Sequence, residues 1–230
     1  MAGADEALFR PVRTGNAFEE TVERLLQSIR LGVVGAGERL PPERELAERL
    51  GVSRVTLREA IHALSEAGYV ESRRGRYGGT FVQETLPSPV PDERRPDLED
   101  TLGLRHVLET GAAELAAARI ADQDREHLLA TLAETRAADL GDYRRRDSRF
   151  HLAIAEVTGS PSLTSAVADV RMRVNRLLDE IPLLPPNLDH SNTQHEAIVT
   201  AILKGDPESA RQAMAEHLEG TASLLRAFLS

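Results

Sequence analysis

The chain of 230 residues carries 28 Lys and Arg against 37 Asp and Glu, which gives a formal charge of -9, and it contains no Cys. Its length allows one large domain or two small ones, and its 41% apolar content is typical of a globular protein with a buried core. Without Cys, disulfides and Cys-based zinc modules are excluded, so a bound metal needs His and carboxylate ligands. The sequence shows no secretory signal and no apolar run near the roughly 18 residues of a membrane span. We therefore expect a cytoplasmic protein with no membrane partner.

The acidic charge is confined to the second part of the chain. Residues 1–83 hold 12 Arg and 12 acidic residues, whereas residues 84–230 hold 16 basic and 25 acidic residues. The stretch ETLPSPVPDERRP between these parts is rich in proline, which disfavours both helix and sheet. We predict a flexible N-terminus, a first domain, an extended Pro-rich linker and a second domain, at residues 1–17, 18–83, 84–96 and 97–230.

Helical periodicity predicts three helices at the start of the first domain. The first covers residues 18–30, the second runs from the Pro41-Pro42 pair to Gly51, and Ser53 is placed to cap the third. The apolar residues of the third helix that we expect to face the core are Val55, Ile61 and Leu64. Two helices joined by a tight turn are typical of a helix-turn-helix, whose second helix can lie in the major groove of DNA.

After Gly68 the apolar period changes from about 3.6 to 2. This change predicts two short strands, at residues 69–72 and 80–82, joined by the loop RRGRYGG. The loop holds three arginines without an intervening acid, and Gly75 within it favours a close approach to a phosphate backbone. The hairpin is therefore predicted to be a wing.

Basic and small polar side chains also cluster at the start of the third helix. Arg54 and Arg58 are four residues apart and lie on one face, and Ser53 and Thr56 are smaller donors beside them. A basic cluster alone is more often a solvated surface. The helix-turn-helix, the arginine loop and the neutral first domain together predict DNA binding instead.

The stretch GERLPPERELAERLGVSRVTLREAIHALSEAGYVESRRGRYGGTFV closely resembles the winged helix-turn-helix of the GntR family of bacterial transcription regulators. The likeness extends over about residues 18–83. It implies DNA contacts by eight residues, namely Arg44, Ser53, Arg54, Thr56, Arg58, Arg74, Gly75 and Arg76. Val55 departs from relatives that carry a polar residue at its position, which points to a different base preference.

From residue 97 onward the apolar pattern is helical throughout. About six helices are expected, which suits an antiparallel bundle with short connections. The predicted fold is therefore mainly α, with an N-terminal winged helix-turn-helix that has a small β-hairpin wing and a C-terminal all-α antiparallel helical bundle.

Three of the seven histidines and one aspartate lie on inward faces of these helices. His195 and His217 fall within apolar stripes, and Asp147 and His151 share one face of a helix. A single inward histidine is usually a core residue with a hydrogen bond. Four such groups are costly to bury unless a divalent cation binds them, and imidazole and carboxylate are suitable ligands. The remaining histidines, which show no such convergence, are His62, His106, His127 and His190.

Arg105 lies on or beside the inward stripe of the first bundle helix, where an unpaired guanidinium is costly. A bound organic acid would pair with it in a bidentate manner. The alternatives are an internal ion pair with Glu109 or extension of the side chain to the surface. Arg173 and Asn175, on a later helix, are further candidates for effector binding.

The segments FHLAIAEVTGSPSL and HEAIVTAILKGDPESARQAMAEHL resemble the FCD effector domain of the FadR subfamily, over about residues 97–228. The likeness implies a divalent metal, with zinc favoured and nickel or manganese as alternatives, and a small carboxylate ligand. The implied metal ligands are Asp147, His151, His195 and His217.

Together these patterns predict a homodimeric transcription regulator, a repressor, that binds double-stranded DNA at a pseudo-palindromic operator and responds to a small carboxylate effector. Effector binding would shift the bundle between two arrangements and change the spacing of the two recognition helices. No catalytic residue is predicted. Two alternatives stay open: the same regulator with a purely structural metal site, and a metal-dependent hydrolase, which lacks the support of an HExxH or other catalytic spacing.

Overall fold

The structure is a computed structural model that describes residues 9, 11–12, 14–30, 33–75, 78–87 and 97–229. The chain divides into two compact units. The first unit comprises Met1–Pro91 together with Gly220–Ser230, and the second comprises Asp92–Glu219. Much of the predicted N-terminal segment and residues 88–96 of the predicted linker lie outside the described residues.

In its described part, the first unit contains three complete helices and a two-stranded antiparallel sheet after a short 3-10 turn at Thr14–Asn16. The elements are α1 (Ala17–Arg30), α2 (Glu43–Leu50), α3 (Arg54–Glu66), β1 (Val70–Arg73) and β2 (Gly79–Val82). The register places Val70 opposite Val82. Leu25 of α1, Leu46 of α2 and Leu57 of α3 have no exposed surface, so the three helices share one core.

The turn between α2 and α3 is built by local signals. Gly51 ends α2 with φ 68°, a left-handed conformation that glycine adopts without strain. Ser53 then caps α3, because its Oγ accepts a hydrogen bond of 3.0 Å from the backbone N–H of Thr56.

The expectation that Val55 faces the core is wrong, since Val55 is 64% exposed. The buried stripe of α3 instead contains Leu57, Ala60, Ile61 and Leu64. These residues have the spacing of one helix face, and Val55 lies away from that face.

All the regular secondary structure in the described part of the second unit is helical. Its helices are α4 (Leu98–Arg119), α5 (Asp122–Arg136), α6 (Tyr143–Val157), α7 (Pro161–Leu178), α8 (Pro185–Lys204) and α9 (Pro207–Leu229). Small residues on α4, such as Ala113 and Ala116, are fully buried beside Phe150 and Ile154 of α6. The predicted fold class, a winged helix-turn-helix followed by a helical bundle, is confirmed. Among the described residues, no helix combines the length and apolar character needed to span a bilayer.

The last helix, α9, contributes to both units. Its residues up to Glu219 belong to the second unit, and its residues from Gly220 belong to the first. Within the first unit the ring of Phe228 packs edge-on against Tyr69, with 5.9 Å between centroids. Leu225 beside it is fully buried. The end of α9 is therefore part of the core of the first unit.

Candidate functional site

Four side chains with metal-binding chemistry converge inside the second unit. Asp147 and His151 come from α6, His195 from α8 and His217 from α9. One donor atom of each residue lies within 4.8 Å of the donor atoms of the other three. The histidines are at most 2% exposed, and the Asp147 side chain is 13% exposed.

The distances among these donor atoms suit a single cation. Nε2 of His217 lies 3.3 Å from Nε2 of His151 and 3.3 Å from Nε2 of His195. Oδ1 of Asp147 lies 3.4 Å from Nε2 of His195 and 3.7 Å from Nε2 of His151. Four donors bound tetrahedrally at about 2.0–2.1 Å from an ion are about 3.3 Å apart.

The outer partners of two histidines favour particular tautomers of their rings. Nδ1 of His151 is 2.7 Å from Oε2 of Glu109, and Nδ1 of His217 is 3.2 Å from Oε1 of Gln194. Both oxygens are acceptors, so they favour the tautomers in which Nδ1 carries the proton and Nε2 presents a lone pair. In these tautomers the two Nε2 lone pairs face each other at 3.3 Å and form no hydrogen bond. A cation between them satisfies both, so these residues fit a divalent metal.

The protonation states of the cluster also suit metal binding. Burial lowers the pKa of His195 to about 3, and burial with the neighbouring histidines lowers the pKa of His217 well below its usual value. Both rings are therefore neutral at neutral pH, as metal ligands must be. Burial alone would raise the pKa of Asp147, but the nearby positive charges, that of Arg171 foremost, together outweigh burial and hold that pKa below its usual range.

Two buried arginines adjoin the cluster. Nε of Arg105 on α4 lies 3.3 Å from Oε1 of Glu109, so the predicted alternative of an internal ion pair is realised. Arg171 on α7 pairs with Oδ2 of Asp147, and its Nη1 lies 3.9 Å from Oε1 of Glu109. Each arginine is 2% exposed. Asp147 and Glu109 thus each link an arginine to the histidine cluster.

Sequence reasoning did not single out Arg171, although a signal was present. Arg171 stands within the buried stripe of α7, between Val170 and Val174. A charged residue at such a position is costly unless it is paired, so the spacing alone marks it as a candidate.

The other two proposed effector residues lie farther from the cluster. Nδ2 of Asn175 donates a hydrogen bond of 3.0 Å to Oγ of Ser148, and Ser148 also accepts one of 3.3 Å from Nη2 of Arg171. Asn175 therefore reaches the cluster through two further side chains. Arg173 is one-third exposed and pairs with Asp100, so its described contacts do not bring it to the cluster.

In the first unit, the proposed DNA contacts lie on accessible parts of the helix-turn-helix and wing. Arg44, Ser53, Arg54, Arg58, Arg74 and Gly75 are exposed, Thr56 is half-buried, and Arg76 lies outside the described residues. Nε of Arg58 lies 2.7 Å from Oε2 of Glu43, and both side chains are well exposed. Exposed ion pairs contribute little, so Arg58 can exchange this carboxylate for a phosphate.

The two arginines before Gly75 differ in their surroundings. The guanidinium of Arg73 lies 4.5 Å from the ring centroid of Phe81 and pairs with Glu71, which holds it against the strands. Arg74 is exposed at the loop, and Gly75 has φ 106°, which a side chain would make unfavourable. Of these two arginines, Arg74 is the better placed for a phosphate.

Comparison with known proteins gives two family matches. Residues 18–82 match the bacterial regulatory proteins of the gntR family, and residues 100–220 match the FCD domain. The chain is 32% identical to a protein of Escherichia coli K12 that carries the name of an L-lactate dehydrogenase operon regulatory protein, over 91% of this chain and 86% of that protein. It is 33% identical to the Uxu operon transcriptional regulator of E. coli K12, over 84% of this chain and 80% of that protein.

Solved structures agree with these matches. Streptococcus agalactiae GntR superposes with a TM-score of 0.50 at 27% identity, over 89% of this chain and 98% of that one. E. coli McbR/YncC has a TM-score of 0.53 at 23% identity, over 91% of this chain and 97% of that one, and so supports the fold.

Proposed function

Because the chain belongs to the gntR family of bacterial regulatory proteins and carries an FCD domain, it is a DNA-binding transcription regulator rather than an enzyme, and we propose that it is a homodimeric repressor controlled by a small organic acid at a divalent metal site. Each winged helix-turn-helix would bind one half of a pseudo-palindromic operator.

The exposed side chains of the first unit support this mode of DNA binding. Arg54 begins α3 and Arg58 follows one turn later, so both can reach base edges or phosphates from a helix in the major groove. Val55 between them is exposed and apolar, which suits contact with a thymine methyl group. Ser53, Thr56 and Arg44 would contact the flanking phosphates, and Arg74, Gly75 and Arg76 would contact DNA from the wing.

The facing lone pairs of His151 and His217 carry the proposal of a metal. Asp147, His151, His195 and His217 would hold the ion, and zinc suits neutral imidazole and carboxylate ligands. Nickel and manganese accept similar donors and more ligands. Once bound, the ion supplies a Lewis acid to which a carboxylate oxygen can bind.

Arg105 supports the choice of an organic acid. Its Nη1 is buried, and no hydrogen-bond partner for it exists among the described residues. A buried N–H without a partner is costly, and a carboxylate is the acceptor that a guanidinium pairs with best. Asn175 would support the site through Ser148 and Arg171.

Helix α9 provides a physical route from the site to the DNA-binding unit. It carries His217 in the second unit and continues into the first unit at Gly220. An ion or effector that fixes His217 would favour one position of α9 and hence one arrangement of the residues packed against its end. A coupling of about 1–3 kcal/mol would change operator affinity by about 5- to 150-fold.

The test begins with an operator selected from random DNA duplexes by the purified protein. We then measure metal content, thermal stability and duplex affinity with and without a panel of small carboxylates. The proteins compared are the native protein, His195→Ala, and His106→Ala, which is the control because His106 is an exposed histidine. We expect one divalent ion per chain and weaker duplex binding with particular acids, both lost only in His195→Ala. If the metal-loaded protein binds the duplex with the same affinity in the presence of every acid, the proposed acid sensing is wrong and the metal is structural.

A further inference from the structure

Helix α4 presents a polar stripe to the interior of the second unit. Thr101, Arg105 and Glu109 follow one another at intervals of four residues, which places them on one helix face. Their exposures are 0%, 2% and 1%. Arg171 of α7 lies beside this stripe, because its Nη1 is 3.9 Å from Oε1 of Glu109.

The stripe and Arg171 hold several donors that lack acceptors. Oγ1 of Thr101, Nη1 of Arg105, and Nε and Nη1 of Arg171 are buried, and none has a hydrogen-bond partner among the described residues. Among the nearby carboxylates, Glu109 contacts Arg105 and His151, and Asp147 pairs with Arg171. Oε2 of Glu109 also lacks a hydrogen bond among the described residues, so the region has four unpaired donor atoms against this one carboxylate oxygen. Buried donors are rarely left unpaired in folded proteins. The surplus of donors favours a ligand that is rich in acceptors.

The charges of this region set the charge of that ligand. The buried charged residues described in the second unit are Arg105, Glu109 and Arg171, and the nearly buried Asp147 completes the set. Two positive and two negative charges balance, and histidines that bind a metal are neutral. A divalent ion therefore adds two positive charges that no described buried residue offsets. Uncompensated charge inside a protein is strongly unfavourable.

We infer that the effector is a dianion, a small dicarboxylate, which binds the metal through one carboxylate and Arg105, Arg171 and Thr101 through the other. The inference rests on the proposed function. It adds to it the charge of the effector and direct contacts by Arg171 and Thr101. One carboxylate would bind the ion held by Asp147 and the three histidines. The other accepts from the two guanidiniums and the hydroxyl, so both the unpaired donors and the added charge are satisfied. A monocarboxylate leaves one of these groups unmatched.

The test compares ligands matched in carbon number. Zinc-loaded protein is titrated calorimetrically at pH 7.5 with malonate, succinate and glutarate, and with propionate, butyrate and valerate. We expect at least one dicarboxylate to bind 10-fold or more tightly than the monocarboxylate of the same length. Equal affinities within every pair would overturn the dianion and leave an acid-responsive regulator. No binding by either series would overturn the proposed sensor as well.

Two threonine variants separate a ligand contact from a structural hydroxyl. Thr101→Val removes a buried hydroxyl that has no partner, so the metal-free protein should unfold at the same or a higher temperature, whereas affinity for the best dicarboxylate should fall about 10-fold. Thr135→Val is the matched control, because its equally buried hydroxyl donates to the carbonyl oxygen of Thr131 at 2.9 Å. The control should lower the unfolding temperature and keep the affinity. Unchanged affinity in Thr101→Val would remove Thr101 from the site.

Discussion

Nη2 of Arg30 on α1 donates a hydrogen bond of 2.8 Å to the backbone carbonyl oxygen of Phe228, near the end of α9. Carbonyls in the last turn of a helix lack partners within the helix and carry the negative end of its dipole, so a guanidinium suits them. His217 lies about three turns earlier on the same helix. One continuous helix therefore joins a proposed metal ligand to a residue held by the DNA-binding unit.

Arg30→Met should weaken the response of DNA binding to the effector. The variant keeps the apolar stem but loses the hydrogen bond to Phe228, along with one of 3.4 Å to the hydroxyl of Tyr69, so this charged contact between α1 and the end of α9 is removed. Metal content and acid binding should stay unchanged, while the acid-dependent change in duplex affinity falls to less than half of its native value on a logarithmic scale. Fluorescence anisotropy with the selected duplex, with and without the best acid, measures this change.

Arg24→Met is the control for that experiment. Arg24 lies on the same helix, and its Nη1 donates to Gln27 within α1. This variant should respond to the acid as the native protein does. A full response in Arg30→Met would show that the contact with Phe228 does not transmit the signal.

His217→Ala should lose the bound metal without losing DNA binding. The substitution removes one of four ligands, whereas the proposed DNA contacts lie in the other unit. Metal that binds only the folded protein stabilises it by about 2.7 kcal/mol at a free concentration 100 times its Kd. EDTA should therefore lower the unfolding temperature of the native protein and leave that of the variant unchanged.

The control for metal loss is His127→Ala, since His127 is about half exposed and lies near Glu156 rather than in the cluster. Elemental analysis after gel filtration should give one ion per chain for this variant. A stoichiometric ion in His217→Ala would exclude His217 as a ligand.

Much of the fold could be predicted because its signals are local. The proline before α2, the left-handed Gly51 and the cap at Ser53 each act within a few residues of themselves. The side on which Val55 lies was predicted wrongly, because the helix phase depends on which apolar residues pack together. Leu57 and Ala60 define the buried face, and a valine two residues from Leu57 falls outside it.

The candidate site was predicted in part. The histidines and Asp147 are in phase with apolar stripes, so their convergence follows from helix geometry. The position of Arg171 between Val170 and Val174 marked it as buried, but its partners, Asp147 and Glu109, stand on other helices, so only packing shows what it pairs with. Arg173 was preferred over it from the sequence, but an exposed pair with Asp100 holds Arg173 elsewhere.

Two substitutions at Ser53 separate helix capping from DNA binding. Ser53→Ala removes the acceptor for the N–H of Thr56 and should destabilise the protein by about 0.5–2 kcal/mol. Ser53→Asp keeps an acceptor and places a negative charge at a helix N-terminus, so stability should be native or slightly higher. The same charge repels phosphate, so duplex affinity should fall. Urea unfolding and anisotropy measure the two effects, and native affinity in Ser53→Asp would remove Ser53 from the DNA interface.

Arg54→Ala should weaken operator binding in a manner that depends on the contact it makes. If Arg54 contacts a phosphate, the slope of log affinity against log salt concentration should become shallower by about 1. If Arg54 contacts a base, the variant should lose about 1–3 kcal/mol of binding free energy on the selected duplex and little on a random duplex. Arg211→Ala removes the same charge from an exposed site in the other unit, where Arg211 lies 4.0 Å from Glu114. Because that site is far along the chain from the recognition helix, its salt slope and sequence preference should be native. If Arg54→Ala and Arg211→Ala behave alike, α3 does not read the operator as proposed.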